Sequence, residues 1–142
     1  MATPVLVPMT IGAPVGQVPL EVIATPSFMR PLIPFAAYEP PGAFAQDRTG
    51  WFYVTVPEPG RRRDHCAHEI ACTALHEGYP GHHLQLVHAN RVPSKIRRVL
   101  GTSVFIEGWA LYWEMLLWDK GFPRTPEEKI GMLFWRMHRS AR

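Results

Sequence analysis

Between Thr102 and Gly121 the apolar positions leave no polar face, with Val104, Phe105, Trp109, Tyr112, Trp113 and Leu116 pointing in different directions. A helix that is apolar all round is a buried helix, so this segment is expected at the centre of the core. Only Glu107 and Glu114 interrupt the apolar positions of its middle, seven residues apart and therefore on one face. Helical patterning also runs from Asp64, a capping residue type, to about Glu77. It resumes from Gly81 to about Asn90, after Gly78 and Pro80-Gly81 have broken it. Val92-Pro93-Ser94 opens a short helix ending at Leu100. Thr125-Pro126-Glu127-Glu128 combines a threonine cap, proline at the first position and glutamate at the third, which starts another helix. That helix reaches Arg142 without a stop signal, so the chain reads as a truncated C-terminal part of something larger.

The N-terminal pattern differs. Prolines at 4, 8, 14, 19, 26, 31 and 34 forbid a long helix, and residues 1–48 are expected to be extended and mostly irregular. Trp51 to Val56 is a short aromatic and β-branched run that predicts one strand. Pro57 and Pro59 place that strand at a sheet edge, where its backbone could bind a peptide by strand addition. The expected architecture is mainly α, with a Pro-rich segment at 1–48 and a helical metal-site region at 49–142.

Composition narrows the possibilities. A length of 142 residues with 46% hydrophobic residues suits one domain. The net charge of +3 is small, and its main cluster, Arg61-Arg62-Arg63, reads as a solvated linker. No nucleic-acid-reading module accompanies that cluster, so no nucleic-acid partner is expected. No charge-free apolar run reaches the ~18 residues of a transmembrane helix. Residues 1–17 lack the basic start and apolar run of a signal peptide, which places this chain in the cytoplasm while leaving export open to a longer parent. Cys66 and Cys72 are six residues apart on one predicted helix and diverge in direction, so they read as free thiols of a reducing compartment.

The chemistry concentrates in His76-Glu77-Gly78-Tyr79-Pro80-Gly81-His82-His83. Imidazoles that hold a metal, with a carboxylate beside the first to take a proton from water, are the inventory of a zinc hydrolase. The usual H-E-x-x-H spacing is absent. On a straight helix His82 would point ~120° away from His76, and His83 would lie ~10 Å along the axis. Both are too remote to share an ion with His76 unless the helix breaks at Pro80-Gly81, and geometry does not choose between them. A third ligand is needed, and a buried carboxylate needs a partner. Glu107 suits the metal; Glu114 suits either the site or an arginine on a neighbouring helix. Glu69, seven residues before His76, is a candidate acceptor for its ring, and Gln85 is another candidate one turn beyond. Tyr79 and Tyr112 are candidate donors to a developing oxyanion, with core packing the better default for Tyr112. His65, His68 and His88 read as surface or capping residues.

HEGYPGHHLQ at 76–85 and FIEGWALYWE at 105–114 resemble the bacterial "domain of unknown function 885" family, whose pattern is H-E-x-x-P-G-H-x-x-Q followed by E-G-W-A-L-Y-x-E. The resemblance spans roughly residues 20–142. The family is similar to zincin metallopeptidases that use a glutamate as third ligand. The resemblance therefore implies a helical zincin-like fold, metal ligands His76, His82 and Glu107, and Glu77 as general base. His83 follows the family's ligand position and is left as a neighbouring site or substrate residue. The implied cofactor is Zn2+, with iron or manganese as poorer alternatives. The implied reaction is hydrolysis of a peptide or peptide-like carbonyl. The competing expectation is an inactive fragment or pseudo-enzyme scaffold that keeps the metal motif, and the truncated chain is expected to be inactive alone.

Overall fold

The structure, a computed structural model, describes residues 18–57, 60 and 66–141. Three strands come first: β1 Leu20–Ala24, β2 Ala36–Glu39 and β3 Gly50–Val54. They form one sheet in the order β1-β3-β2, with β3 parallel to β1 and antiparallel to β2. This corrects two expectations. The Pro-rich segment contains two strands, because the prolines flanking Leu20–Ala24 and Ala36–Glu39 leave runs just long enough to pair. The aromatic strand is central, with both of its edges occupied, so it cannot accept a peptide by strand addition. Pro57 lies beyond Val54 and removes no ladder hydrogen bond.

Helix dominates the remainder and accounts for about half of the described residues. A 3-10 turn at Ala67–Glu69 leads into α1, Ile70–Glu77. The expected cap at Asp64 lies outside the described residues, as does His65. The helix stops at Gly78 and restarts as α2, His82–Ala89, after a turn containing a cis Tyr79–Pro80 peptide. Ser94 caps α3, Lys95–Val99, by accepting from the Arg97 N–H, and Thr102 caps α4, Ser103–Asp119, by accepting from the Phe105 N–H. Thr125 and Glu128 form a reciprocal capping box at the start of α5, Pro126–Ser140.

α1 and α2 both pack on α4, and α5 packs on α1 and the turn before it. Leu84 and Val87 of α2 meet Val18 and Trp109, while Cys72, Leu75, Ala110, Trp113 and Met132 are buried elsewhere in the helical layer. The centre of this packing carries the buried polar groups His76, His82, His83, Gln85 and Glu114. α4 itself is buried on one side only: Val104, Phe105, Tyr112 and Met115 are exposed. Its all-round apolar pattern predicted complete burial, but the described helices cover only the face that carries Ala110, Trp113 and Glu114. Among the described residues no helix is long and apolar enough to cross a membrane.

Candidate metal centre

The break after α1 brings two histidines together. His76 lies in the last turn of α1 and His82 is the first residue of α2. The chain between them folds back tightly: the Gly81 N–H donates to the Leu75 carbonyl at 3.0 Å. A Cβ at Gly81 would run into the backbone carbonyl of His76, so only glycine fits there. Trp109 ties the turn to α4 by donating its indole N–H to the Pro80 carbonyl at 2.9 Å. The two imidazoles then stand nearly perpendicular, with ring centres 4.7 Å apart.

Glu107 of α4 faces both rings. Its Oε2 lies 3.5 Å from His76 Nε2 and its Oε1 lies 3.7 Å from His82 Nε2. Atoms bound ~2.1 Å from a tetrahedral ion stand about 3.4 Å from one another, close to each of these two spacings, which run to different oxygens of the carboxylate. Glu77 also reaches the pair, with a carboxylate oxygen within 4.8 Å of a nitrogen on each ring. One of its oxygens is engaged, because Oε2 accepts the Tyr38 N–H of β2 at 2.9 Å. Glu107 approaches each ring with a different oxygen, whereas the three residues whose ligand atoms all lie within 4.8 Å of one another are His76, Glu77 and His82. The Glu107 side chain is 64% exposed, which leaves the centre open on that side.

The other face of His76 is held from below. Its Nδ1 lies 2.6 Å from Glu114 Oε1, and Glu114 is only 1% exposed. With Nδ1–H donating to this carboxylate, the neutral tautomer of the ring presents its Nε2 lone pair toward Glu107. Arg139 of α5 donates Nη1–H to the second oxygen, Glu114 Oε2, at 2.7 Å. Glu114 therefore meets both the site and an arginine. Glu69 does not serve His76. It precedes α1 in the 3-10 turn, where the helical spacing does not hold, and its Oε2 accepts the Trp135 indole N–H at 3.2 Å.

His83 turns away from this cluster. Its Nδ1 lies 3.0 Å from the Tyr38 hydroxyl, and its ring packs edge-on to Tyr38. Gln85 donates to the Phe105 carbonyl at 3.4 Å, joining α2 to the start of α4. The Tyr79 ring lies 5.7 Å from that of His83 and is partly exposed, while Tyr112 sits on the outer side of α4 against Trp113. His68 and His88 are exposed. Cys66 and Cys72 are both free, the first exposed and the second buried.

Burial, reinforced by the neighbouring His76, pushes the His82 pKa down to about 4, which leaves a neutral ring at physiological pH. Burial pushes Glu77 above the usual carboxylate range, partly offset by His76 and the Tyr38 N–H. Burial lowers His83 and raises Cys72, the latter to about 12. Two imidazoles and a carboxylate, with a second carboxylate orienting one ring, fit a zinc-type ion. One atom departs from that pattern: His82 Nδ1 is buried with no hydrogen-bond partner among the described residues. Two participants were not singled out from the sequence. Tyr38 lies in the segment expected to be irregular and acts through its backbone. Arg139 lies far along α5, and only the need of Glu114 for a cation pointed to any arginine.

A mainly helical protein with a small sheet and a histidine–glutamate cluster is thus the class that fold and site define. The chain belongs to a bacterial family of unknown function, DUF885, which matches residues 9–142. It is similar in structure to "the putative lipoprotein from Colwellia psychrerythraea", with a TM-score of 0.69, 23% identity and coverage of 82% of this chain and 20% of the other. It is similar also to "a putative lipoprotein of unknown function from Shewanella oneidensis", with a TM-score of 0.64, 25% identity and coverage of 84% and 22%. The chain therefore spans about a fifth of the length of these two relatives. No curated protein matches it.

Proposed function

We propose that this chain carries the metal centre of a zincin-like, zinc-dependent hydrolase of metallopeptidase type. His76, His82 and Glu107 would hold the ion and Glu77 would act as general base. The observation that carries this reading is the position of the Glu107 carboxylate, 3.5 and 3.7 Å from the two Nε2 atoms. Zinc suits two imidazoles and one carboxylate, and iron or manganese suit them less well in a small tetrahedral set. A bound ion there supplies Lewis acidity, polarising a carbonyl and making water acidic near neutral pH.

The chain's own groups do the rest. The Tyr38 N–H engages one oxygen of Glu77, which leaves the other free to take a proton from water and return it to a leaving amine. Its raised pKa suits both halves of that transfer. Glu114 and His76 Nδ1 fix the first imidazole. The exposed side of Glu107 leaves an approach for a peptide-like substrate. Because the chain spans about a fifth of its structural relatives, the remaining cleft walls are assigned to a longer protein, and hydrolysis is proposed for that protein. The relatives' description as lipoproteins supports export of that protein. Elemental analysis of protein purified without added metal tests the reading. One zinc per chain is expected, and protein free of zinc, iron and manganese would remove it.

A further inference from the structure

We propose that Arg139 is a positioning residue for the metal centre, setting metal affinity through Glu114 although it touches none of the ligands. The inference rests on the metal reading above. Glu114 is buried in the middle of α4 with one oxygen on His76 Nδ1 at 2.6 Å and the other on Arg139 Nη1 at 2.7 Å. The last torsion of a carboxylate side chain is broad and nearly two-fold, so a single hydrogen bond leaves its plane poorly fixed. A second charged donor on the far oxygen holds that plane, and the plane holds the imidazole.

Arg139 is itself held. Its guanidinium lies 5.8 Å from the centre of the Trp135 ring, and Trp135 donates its indole N–H to Glu69. Glu69 immediately precedes α1, the helix whose last turn carries His76. A closed path of contacts thus leaves the start of α1, crosses α5 through Trp135 and Arg139, and returns through Glu114 to the end of α1. The orientation of His76 depends on where α5 sits. A purely structural ion pair would stabilise the packing of α5 on α4 without affecting the ion.

Zinc affinity, measured by competition with a chromogenic chelator in the intact protein, separates these roles. Partners of this kind typically change metal affinity 10–100-fold, so Arg139→Gln should weaken zinc binding by about tenfold or more with helix content retained. Arg139→Lys keeps the charge but not the planar fork, and its affinity should fall between the two. The Glu114→Gln/Arg139→Gln pair should bind zinc no more weakly than Glu114→Gln alone, because Arg139 acts through Glu114. Cobalt substitution adds a second readout: the visible absorption of the bound ion should shift in Arg139→Gln. Zinc affinity within twofold of wild type in both Arg139 variants, or a loss that adds fully to that of Glu114→Gln, overturns the proposal. Wild-type protein that binds no zinc overturns the metal reading itself, and this inference with it.

Discussion

Glu107 and Glu114 share one face of one helix, yet the fold gives them opposite environments. Glu107 is exposed toward the histidines, whereas Glu114 is buried behind His76 with Arg139 on its second oxygen. Glu107→Gln removes a charged ligand atom and should abolish tight zinc binding with little change in melting temperature. Glu114→Gln should weaken zinc by about 10–100-fold, a partial loss, and should also lower the melting temperature. It leaves the Arg139 charge without its carboxylate, and breaking a buried pair costs about 3–5 kcal/mol at most when both partners are fully buried. Arg139 is partly exposed, so the lower part of that scale applies. Chelator competition and thermal melts on both variants check this, and equal zinc loss with equal melting shifts contradicts the division of roles. His82 supplies a pH signature in the metal-free protein. Its folded pKa of about 4 lies below the ordinary histidine value, so between the two the unfolded chain binds more protons. Stability should therefore rise with pH from about 4 to about 6.5 and be lost as pH falls through that window. Melts across pH 4–7 should show this slope in the metal-free wild type and a flatter one in His82→Gln; parallel curves would contradict the burial argument.

At the scale of elements, much was legible where one local signal decided the outcome. The capping box at Thr125 and the helix it opens follow from the side-chain chemistry of four residues, and the structure contains both. The break near Pro80-Gly81 was legible for the same reason, but which histidine would follow it toward His76 was not. That depends on where α2 starts, and one residue of offset sends His83 to Tyr38 instead. β1 and β2 were hidden because strand formation depends on partners remote in sequence: Leu20 pairs with Gly50, and Ala36 with Val54. Glu69 misled because helical periodicity was extended through a 3-10 turn that does not keep it. Gly81→Ala tests the break as an element. The added methyl meets the His76 and Leu75 carbonyls, which are backbone and cannot move aside cheaply. Overpacking of this kind costs on the order of 1–3 kcal/mol, and relief of it would displace His82 from His76. A lowered melting temperature together with weaker zinc binding is expected; wild-type zinc affinity in a destabilised variant would mean that the turn does not set the ligand pair.

At the scale of the whole molecule, His76, His82 and Glu114 are buried in a chain whose other surfaces carry much apolar area. Val104, Phe105, Tyr112 and Met115 are exposed on α4, as are Ile130, Phe134 and Met137 on α5. The same chain aligns with about a fifth of each structural relative. Catalysis is accordingly a property to measure in a protein that contains this stretch, whereas the proposed metal site, whose residues all lie here, can be tested in the stretch itself. Glu77 distinguishes the two. It lies beside the two histidines, close enough that a carboxylate oxygen stands within 4.8 Å of a nitrogen on each ring, so in the proposed site it could serve as either ligand or base. The Tyr38 N–H on one oxygen and the nearer approach of Glu107 to both rings favour the base. Glu77→Gln keeps the size and the hydrogen-bond acceptor for Tyr38 but cannot take up a proton. In the longer protein it should retain zinc and the wild-type melting temperature while losing about 10²–10⁴ in peptide hydrolysis, the usual contribution of a general base. Loss of zinc in this variant, with zinc kept in Glu107→Gln, would exchange the two glutamates' roles. Retained zinc with undiminished turnover would take Glu77 out of the reaction.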